Sequence, residues 1–220
     1  MESIYPEEVT IFAAVVLYGV PVAVAVLSYL LGCINGAIAT SHLFYHDDVR
    51  RHGSGNAGLT NFYRNYGAKC APMVIAFDMI KAVGAVCLGG YFLGHLLGWG
   101  VIGKYFGALF CIIGHMFPVF YGFKGGKGFL VGLSTVYVID WRVGLIATLI
   151  MIVLLFTTKY MSLSTVTAML CCPILLALFG AARPTVLIEA ATVLFIALRH
   201  KENFKRLVAG TESKFALGSH

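Results

Sequence analysis

From position 11 to position 44 the chain is apolar almost without interruption. That is too long for one straight membrane crossing, which takes about 20 residues of helix. In hydrocarbon the backbone finds no water to bond, so such a run has to become helix. It carries its own interruptions, Pro21 and the cluster Gly32-Cys33-Ile34-Asn35-Gly36. We place the main span over 20–43. Residues 1–19 form an N-terminal extension holding an extra apolar turn or an interfacial helix. Gly32, Gly36 and Ala39 are small enough to bring a neighbouring helix close.

Further apolar segments follow over 71–93, 101–120, 129–139, 143–158, 163–179 and 184–198, the fourth span short enough to be a half-helix or a tilted element. With 59% hydrophobic and 12% charged residues, the chain has no room for a separate water-soluble domain. The expectation is an all-α integral membrane protein, a compact bundle of about seven transmembrane helices forming one domain over 1–220, with 216–220 as a tail. Met1 to Thr10 carries three glutamates and lacks the basic start of a signal peptide, so the first span stays. In this arrangement twelve Lys and Arg residues fall on one side of the membrane and three on the other, with Lys81 inside a span. The positive-inside rule then puts the C-terminus in the cytoplasm and the acidic N-terminus outside.

The six cysteines form no C-x-x-C pair and read as small hydrophobes. The net charge of +6 clusters beside spans, which favours anionic headgroups or substrates over nucleic acid. No His, Cys or carboxylate set has metal-ligand spacing.

Three polar constellations share the cytoplasmic side. The first runs from Arg50 to Arg64 through Ser54, Gly55, Asn56, Thr60 and Asn61, donor-rich and acid-free. It suits phosphate, since Arg matches phosphate oxygens bidentately and glycine amides can form a nest. It would equally serve as a flexible basic juxtamembrane loop. The second, Gly114 to Gly128, brings Lys124, Gly125, Gly126 and Lys127 between two apolar helices. It lacks the spacing of a nucleotide-binding P-loop. Its glycines exceed what a positive anchor needs, which favours anion binding. His115 within it reads as a supporting residue. The third begins at Arg199 and contains His200, Glu202, Asn203, Lys205 and Arg206, followed by Gly210-Thr211-Glu212.

Two acids lie inside the membrane. Asp78 and Lys81 are three apart on one helix and can pair as an internal buttress for a nearby loop. Glu189, nearer the outer end of the last span, could meet Arg183 or Arg142.

Taken together, G-S-G-N-x-G-x-T-N-x-x-R, D-x-x-K, G-H-x-F-P-V-F-x-x-F-K-G-G-K-G and H-K-E-N-x-x-R-L-x-x-G-x-E resemble the bacterial acyl-phosphate:glycerol-3-phosphate acyltransferases, the PlsY family. The four motifs occur in the family's order over about 28–215. The resemblance implies a bacterial cytoplasmic-membrane enzyme of seven spans with its active site on the cytoplasmic side. It would move a fatty acyl group from acyl phosphate to the 1-hydroxyl of sn-glycerol 3-phosphate, giving lysophosphatidate and phosphate for phospholipid synthesis. No cofactor and no metal are implied; the partners are the two substrates and membrane lipid, with the oligomeric state left open.

Carried over by position, Ser54, Gly55, Asn56, Thr60, Asn61 and Arg64 would hold phosphate groups. Lys127 would neutralise phosphate, with Gly125 and Gly126 allowing close approach. His200, Glu202 and Asn203 would shape the reacting centre, Asn203 orienting the hydroxyl or polarising the acyl carbonyl. Ser162 and Thr165 match a family stretch that borders the substrate cavity. The chain departs from the family's usual G-S-I-P at Gly32-Cys33-Ile34-Asn35, and reads Lys81-Ala82 where D-x-x-K-G is usual. Acyl phosphate is already activated, so direct displacement without an acyl-enzyme is expected. The rival from another class is a transporter of a phosphorylated anion, for which polar residues outside the cytoplasmic face are few. A non-catalytic lipid-binding scaffold would leave His200 and Asn203 unexplained.

Overall fold

The computed structural model describes residues 7–215; the first six residues and the tail at 216–220 lie outside the described residues. Among the described residues all regular structure is helical. Helix α1 (Glu7–Ala14) passes through a π turn at Val15–Gly19 straight into α2 (Val20–Cys33). Pro21 accounts for the widened turn, because its ring would crowd the carbonyl four residues back and it has no N–H to give. From Glu7 onward the extension is therefore the first stretch of the same helix, not a separate interfacial piece.

The expected span over 20–43 is two helices. Ile34 leaves the helical region (ψ 93°), and Asn35 starts α3 (Gly36–Tyr45) as its N-cap, accepting from the Ile38 amide at 3.1 Å. A break inside the bundle frees carbonyls at the end of α2 and amides at the start of α3, all of which need partners. Helix α5 (Ala71–Leu88) supplies them. Lys81 Nζ donates to the carbonyls of Gly32 (3.2 Å) and Ile34 (2.8 Å), and Asp78 Oδ1 accepts from the Gly36 amide at 3.1 Å. The two side chains pair at 2.8 Å. The cation thus meets a helix C-terminus and the anion a helix N-terminus, the favourable sense for both dipoles. The expected internal ion pair is present, and it straps the break.

The remaining elements are α4 (Leu59–Tyr66), the π turn Gly89–Leu93 leading to α6 (Gly94–Leu97), α7 (Val101–Met116), α8 (Phe129–Ile139), α9 (Trp141–Thr158), α10 (Met161–Leu178), α11 (Arg183–Arg199) and α12 (Lys201–Val208). Five helical stretches among the described residues are long and apolar enough to cross a membrane. Of the seven expected, α8 with 11 residues and α11 with 17 are shorter, roughly 16 and 25 Å at 1.5 Å per residue.

Helix α2 lies against α7 with no space for side chains between them. A Cβ on Gly32 would stand 2.1 Å from the Cys111 carbonyl, and one on Gly114 the same distance from that of Tyr29. The main core joins α5, α7, α8, α9, α10 and α11 around Ile112, Met116, Val136, Met169 and Ile196. A smaller cluster of Ala37, Ile38, Val49, Ala57, Phe62 and Val74 fixes the 46–58 loop onto α3 and α5. Leu178, Phe156, Ile80 and Leu187 all turn more than two thirds of their surface outward, as only a lipid-facing bundle can do without penalty.

Glu189 does not meet an arginine. Its carboxyl is buried with Oε1 unbonded, and Arg142 is held by Asp140 at 2.8 Å.

Candidate active site

One cavity of about 680 Å³ opens where the three polar constellations converge. Its first wall is the loop carrying Ser54, Asn56 and Gly58 and the start of α4, with Thr60, Asn61 and Arg64. Lys127 and Gly128 form the second wall, and His200, Asn203, Arg206 and Glu212 the third. Phe129, Leu130 and Leu133 of α8, Met151 of α9 and Met161 of α10 make the apolar end, with Ser162 and Thr165 between. Asp78 and His115 reach its floor.

The first wall is built by Asn61. This buried amide donates to the carbonyls of Val49 (3.0 Å) and His52 (3.1 Å), and its Oδ1 accepts from the Ser54 amide (3.0 Å) and Asn65 Nδ2 (3.1 Å). With both ends of its side chain satisfied by the loop, Asn61 shapes the wall. Arg64 is the outward cation, donating to Ser213 Oγ at 3.1 Å. Arg50, at the head of the donor-rich loop, spends its guanidinium on Asp48 and on the Tyr121 (2.8 Å) and Lys124 (3.3 Å) carbonyls, tying the first two loops together.

On the second wall the glycine amides do not face the cavity. Gly125 N donates to the Met116 carbonyl (3.2 Å) and Gly126 N to that of His115 (3.1 Å). Their own carbonyls accept from Arg199, which lies over the Phe117 ring. What these positions require is space. A Cβ on Gly126 would be 2.2 Å from His115 Nε2 and 2.6 Å from the Ala57 carbonyl. The loop packs tightly and delivers one group, the Lys127 ammonium.

Lys127 donates to Asn203 Oδ1, and Asn203 Nδ2 donates to Glu212 Oε1 at 2.7 Å. Glu212 also accepts from Ser162 Oγ (2.7 Å) and, through Oε2, from Arg206 Nε (2.8 Å). Burial pushes the Lys127 ammonium down to about 8; Glu212 works against this, and Arg206, Arg199 and Arg64 add to it. At neutral pH the amine is mostly protonated. Burial would raise the Glu212 carboxyl, but hydrogen bonds from Asn203, Ser162 and Arg206 outweigh it and hold the group below the usual range. His200 gives Nδ1–H to the Ile196 carbonyl at 2.8 Å, and burial takes its pKa down to about 4. It is therefore neutral near pH 7, with Nε2 as a lone-pair acceptor.

A model of the family described as "Glycerol-3-phosphate acyltransferase" matches residues 22–210. The chain belongs to that family. Curated relatives include the glycerol-3-phosphate acyltransferase of Thermoanaerobacter sp. (strain X514), 36% identical over 193 residues, covering 88% of this chain and 94% of the relative. That of Neisseria meningitidis serogroup A / serotype 4A (strain DSM 15465 / Z2491) is 36% identical over 198 residues, covering 90% and 98%. Among solved structures, the glycerol 3-phosphate form of PlsY (YgiH), an integral membrane glycerol 3-phosphate acyltransferase, superposes with a TM-score of 0.78. It is 31% identical, over 89% of this chain and 96% of that one. The lysophosphatidic acid form gives 0.77 at 29% identity, over 89% and 95%.

Of the residues expected at the site, Ser54, Asn56, Thr60, Asn61, Arg64, Lys127, Ser162, Thr165, His200 and Asn203 line the cavity. Gly55, Gly125, Gly126 and Glu202 do not. Glu202 points to solvent and pairs with Lys205 at 3.0 Å. The acid that bonds Asn203 on this wall is Glu212, ten positions on from Glu202, with a side chain only 6% exposed. Its signal was the G-x-E that closes the fourth motif. Arg206, one turn beyond Asn203, is the R of the same motif, whereas Asn35, whose Nδ2 holds the Ala57 carbonyl at 3.1 Å, had no signal beyond its polarity.

Proposed function

We propose that the chain, a multi-pass membrane protein of the glycerol-3-phosphate acyltransferase family, takes its acyl group from acyl phosphate. It transfers that group to the 1-hydroxyl of sn-glycerol 3-phosphate. One observation carries this reading: a single cavity joins donor-rich, cationic walls to an apolar end lined by Phe129, Leu130, Leu133 and Met151. Two phosphates and one hydrocarbon chain are what such a cavity accommodates.

In this reading Arg64 and Lys127 take the phosphate groups, with Arg206 beside them. The hydroxyl oxygen attacks the acyl carbon and forms the ester bond, while the bond from that carbon to the phosphate oxygen breaks. The hydroxyl proton leaves with the departing phosphate. Asn203, fixed between Lys127 and Glu212, presents its amide to the hydroxyl or to the developing oxyanion. Neutral His200 orients the hydroxyl through Nε2. Ser162 and Thr165 flank the path of the acyl chain, and Asn61 keeps the phosphate wall in shape. Gly55, Gly125 and Gly126 serve through loop form, and Glu202 stands outside the cavity, paired with Lys205. Positioning and electrostatics supply the catalysis, with no metal and no acyl-enzyme. The chain acts as one transmembrane domain of seven spans, with the site and the C-terminus on the cytoplasmic side.

Purified protein given glycerol 3-phosphate tests the donor. Phosphate release and lysophosphatidate should appear with acyl phosphate, with EDTA present, and not with acyl-CoA or acyl carrier protein. Activity only with a thioester donor, or an acyl-enzyme trapped with acyl phosphate alone, overturns the reading.

A further inference from the structure

The two substrate walls come from distant parts of the chain, and they meet at a buried junction that the proposed chemistry does not use. Ala57, fully buried, lies between Asn56 and Gly58 of the first wall. Its carbonyl is held by Asn35 at the α2–α3 break and abuts Gly126, the residue before Lys127. Gly126 in turn packs on the His115 ring and donates to the His115 carbonyl. On the far side of that ring, His115 Nδ1 accepts from Lys81 Nζ at 2.9 Å and stands 3.6 Å from Asp78 Oδ1. Asp78 and Lys81 are the groups that cap the break.

An uninterrupted helix would need none of these charges. Burying an ion pair contributes little net stability compared with apolar packing, so its presence calls for another return. Here that return is geometric, because one rigid cluster fixes Asn35, and through it Ala57, relative to Gly126.

We propose that Asp78, Lys81 and His115 are positioning residues for acyl transfer, setting the spacing between the 54–64 wall and Lys127. This rests on the acyl-transfer reading. Substrate phosphates bridge the walls in the ground state, so a shifted spacing weakens glycerol 3-phosphate binding first.

The test compares folded, detergent-purified variants at saturating acyl phosphate. His115→Ala should raise the KM for glycerol 3-phosphate on the order of tenfold while kcat falls less. His115→Asn keeps an acceptor for Lys81 and should recover most of the binding. Breaking one charge risks misfolding, so the double variant Asp78→Asn/Lys81→Met removes both together. It should fold, judged by thermal melting, and show the same raised KM. A purely structural role would lower the amount of active protein and leave KM unchanged in every variant, and that result overturns the proposal. Wild-type protein inactive with acyl phosphate defeats the acyl-transfer reading instead. Wild-type activity with unmoved KM values defeats only the positioning role.

Discussion

Lys127 and Asn203 are 76 positions apart, yet the ammonium of one donates directly to the side-chain carbonyl of the other. This contact leaves the Asn203 Nδ2 to Glu212, so a cation, an amide and an acid form one chain at the centre of the cavity. Removing the cation should therefore cost both a phosphate contact and the orientation of Asn203. Lys127→Ala is expected to lose on the order of 2–4 kcal/mol of transition-state stabilisation. Steady-state phosphate release reads this directly, and near-normal kcat/KM would take Lys127 out of the site.

Glu212→Gln keeps the shape of the side chain and removes its charge. One of the three donors now aimed at the carboxylate, from Ser162, Asn203 and Arg206, then confronts an NH2 group. We expect a loss of about 1–3 kcal/mol in stability and at least tenfold in kcat/KM. Glu202→Gln, altering only an exposed pair, should leave melting temperature and turnover near wild type.

The pH dependence of activity and stability should diverge above neutrality. With the Lys127 pKa near 8, kcat/KM falls as the pH climbs through 8 and the phosphate loses its cation. In the unfolded chain a lysine stays protonated to about 10.4, so between these values the unfolded state binds the extra proton. The contribution of Lys127 to stability therefore rises over the same window. His200 acts at the other end. Folded, it resists protonation down to about 4, whereas unfolded it takes a proton near 6.5, so stability falls as pH drops from 6.5 to 4. Melting and rate measured across pH 4–10 check both limbs; a rate rising through pH 8 would remove the charged form of Lys127 from the mechanism.

Gly126→Ala separates a cradle of amides from a packing contact. The added methyl meets the His115 ring and the Ala57 carbonyl at under 3 Å, so the loop must move. We expect turnover reduced at least tenfold. Gly122→Ala, with open space around its Cβ but a φ of +63°, should cost about 1 kcal/mol in stability and little in rate.

Asn61→Ala empties the centre of the first wall and leaves the Val49 and His52 carbonyls without that donor. A stability loss of about 2–3 kcal/mol is expected, with KM raised for both substrates. A KM change confined to one substrate would reassign Asn61 to direct ligation.

The helical bundle was legible because hydrophobic length is a property of the sequence itself. The convergence of the three constellations was legible because the expected spans return the chain to one end of the bundle between them. What stayed hidden depended on where bonds are spent. Glycine amides at 125 and 126 look available in a sequence, and only the fold reveals that carbonyls 115 and 116 already take them. Glu202 is the neighbour of Asn203 in the motif and Glu212 lies nine positions on, so sequence proximity favours the wrong acid; α12 turns Glu202 outward, while the chain beyond Gly210 returns Glu212 to the cavity. The break at Ile34 needed knowledge of Lys81, 47 positions later.

That interval also governs how the protein is made. During synthesis α2 and α3 emerge from the ribosome before the part of α5 that carries Asp78 and Lys81. At about 5–20 residues per second the break waits several seconds for its caps. Until α5 arrives, the carbonyls of Gly32 and Ile34 and the Gly36 amide need water, headgroups or the insertion machinery as temporary partners. The first span of this protein is thus completed by its second, and insertion and folding of the N-terminal half form a single coupled event.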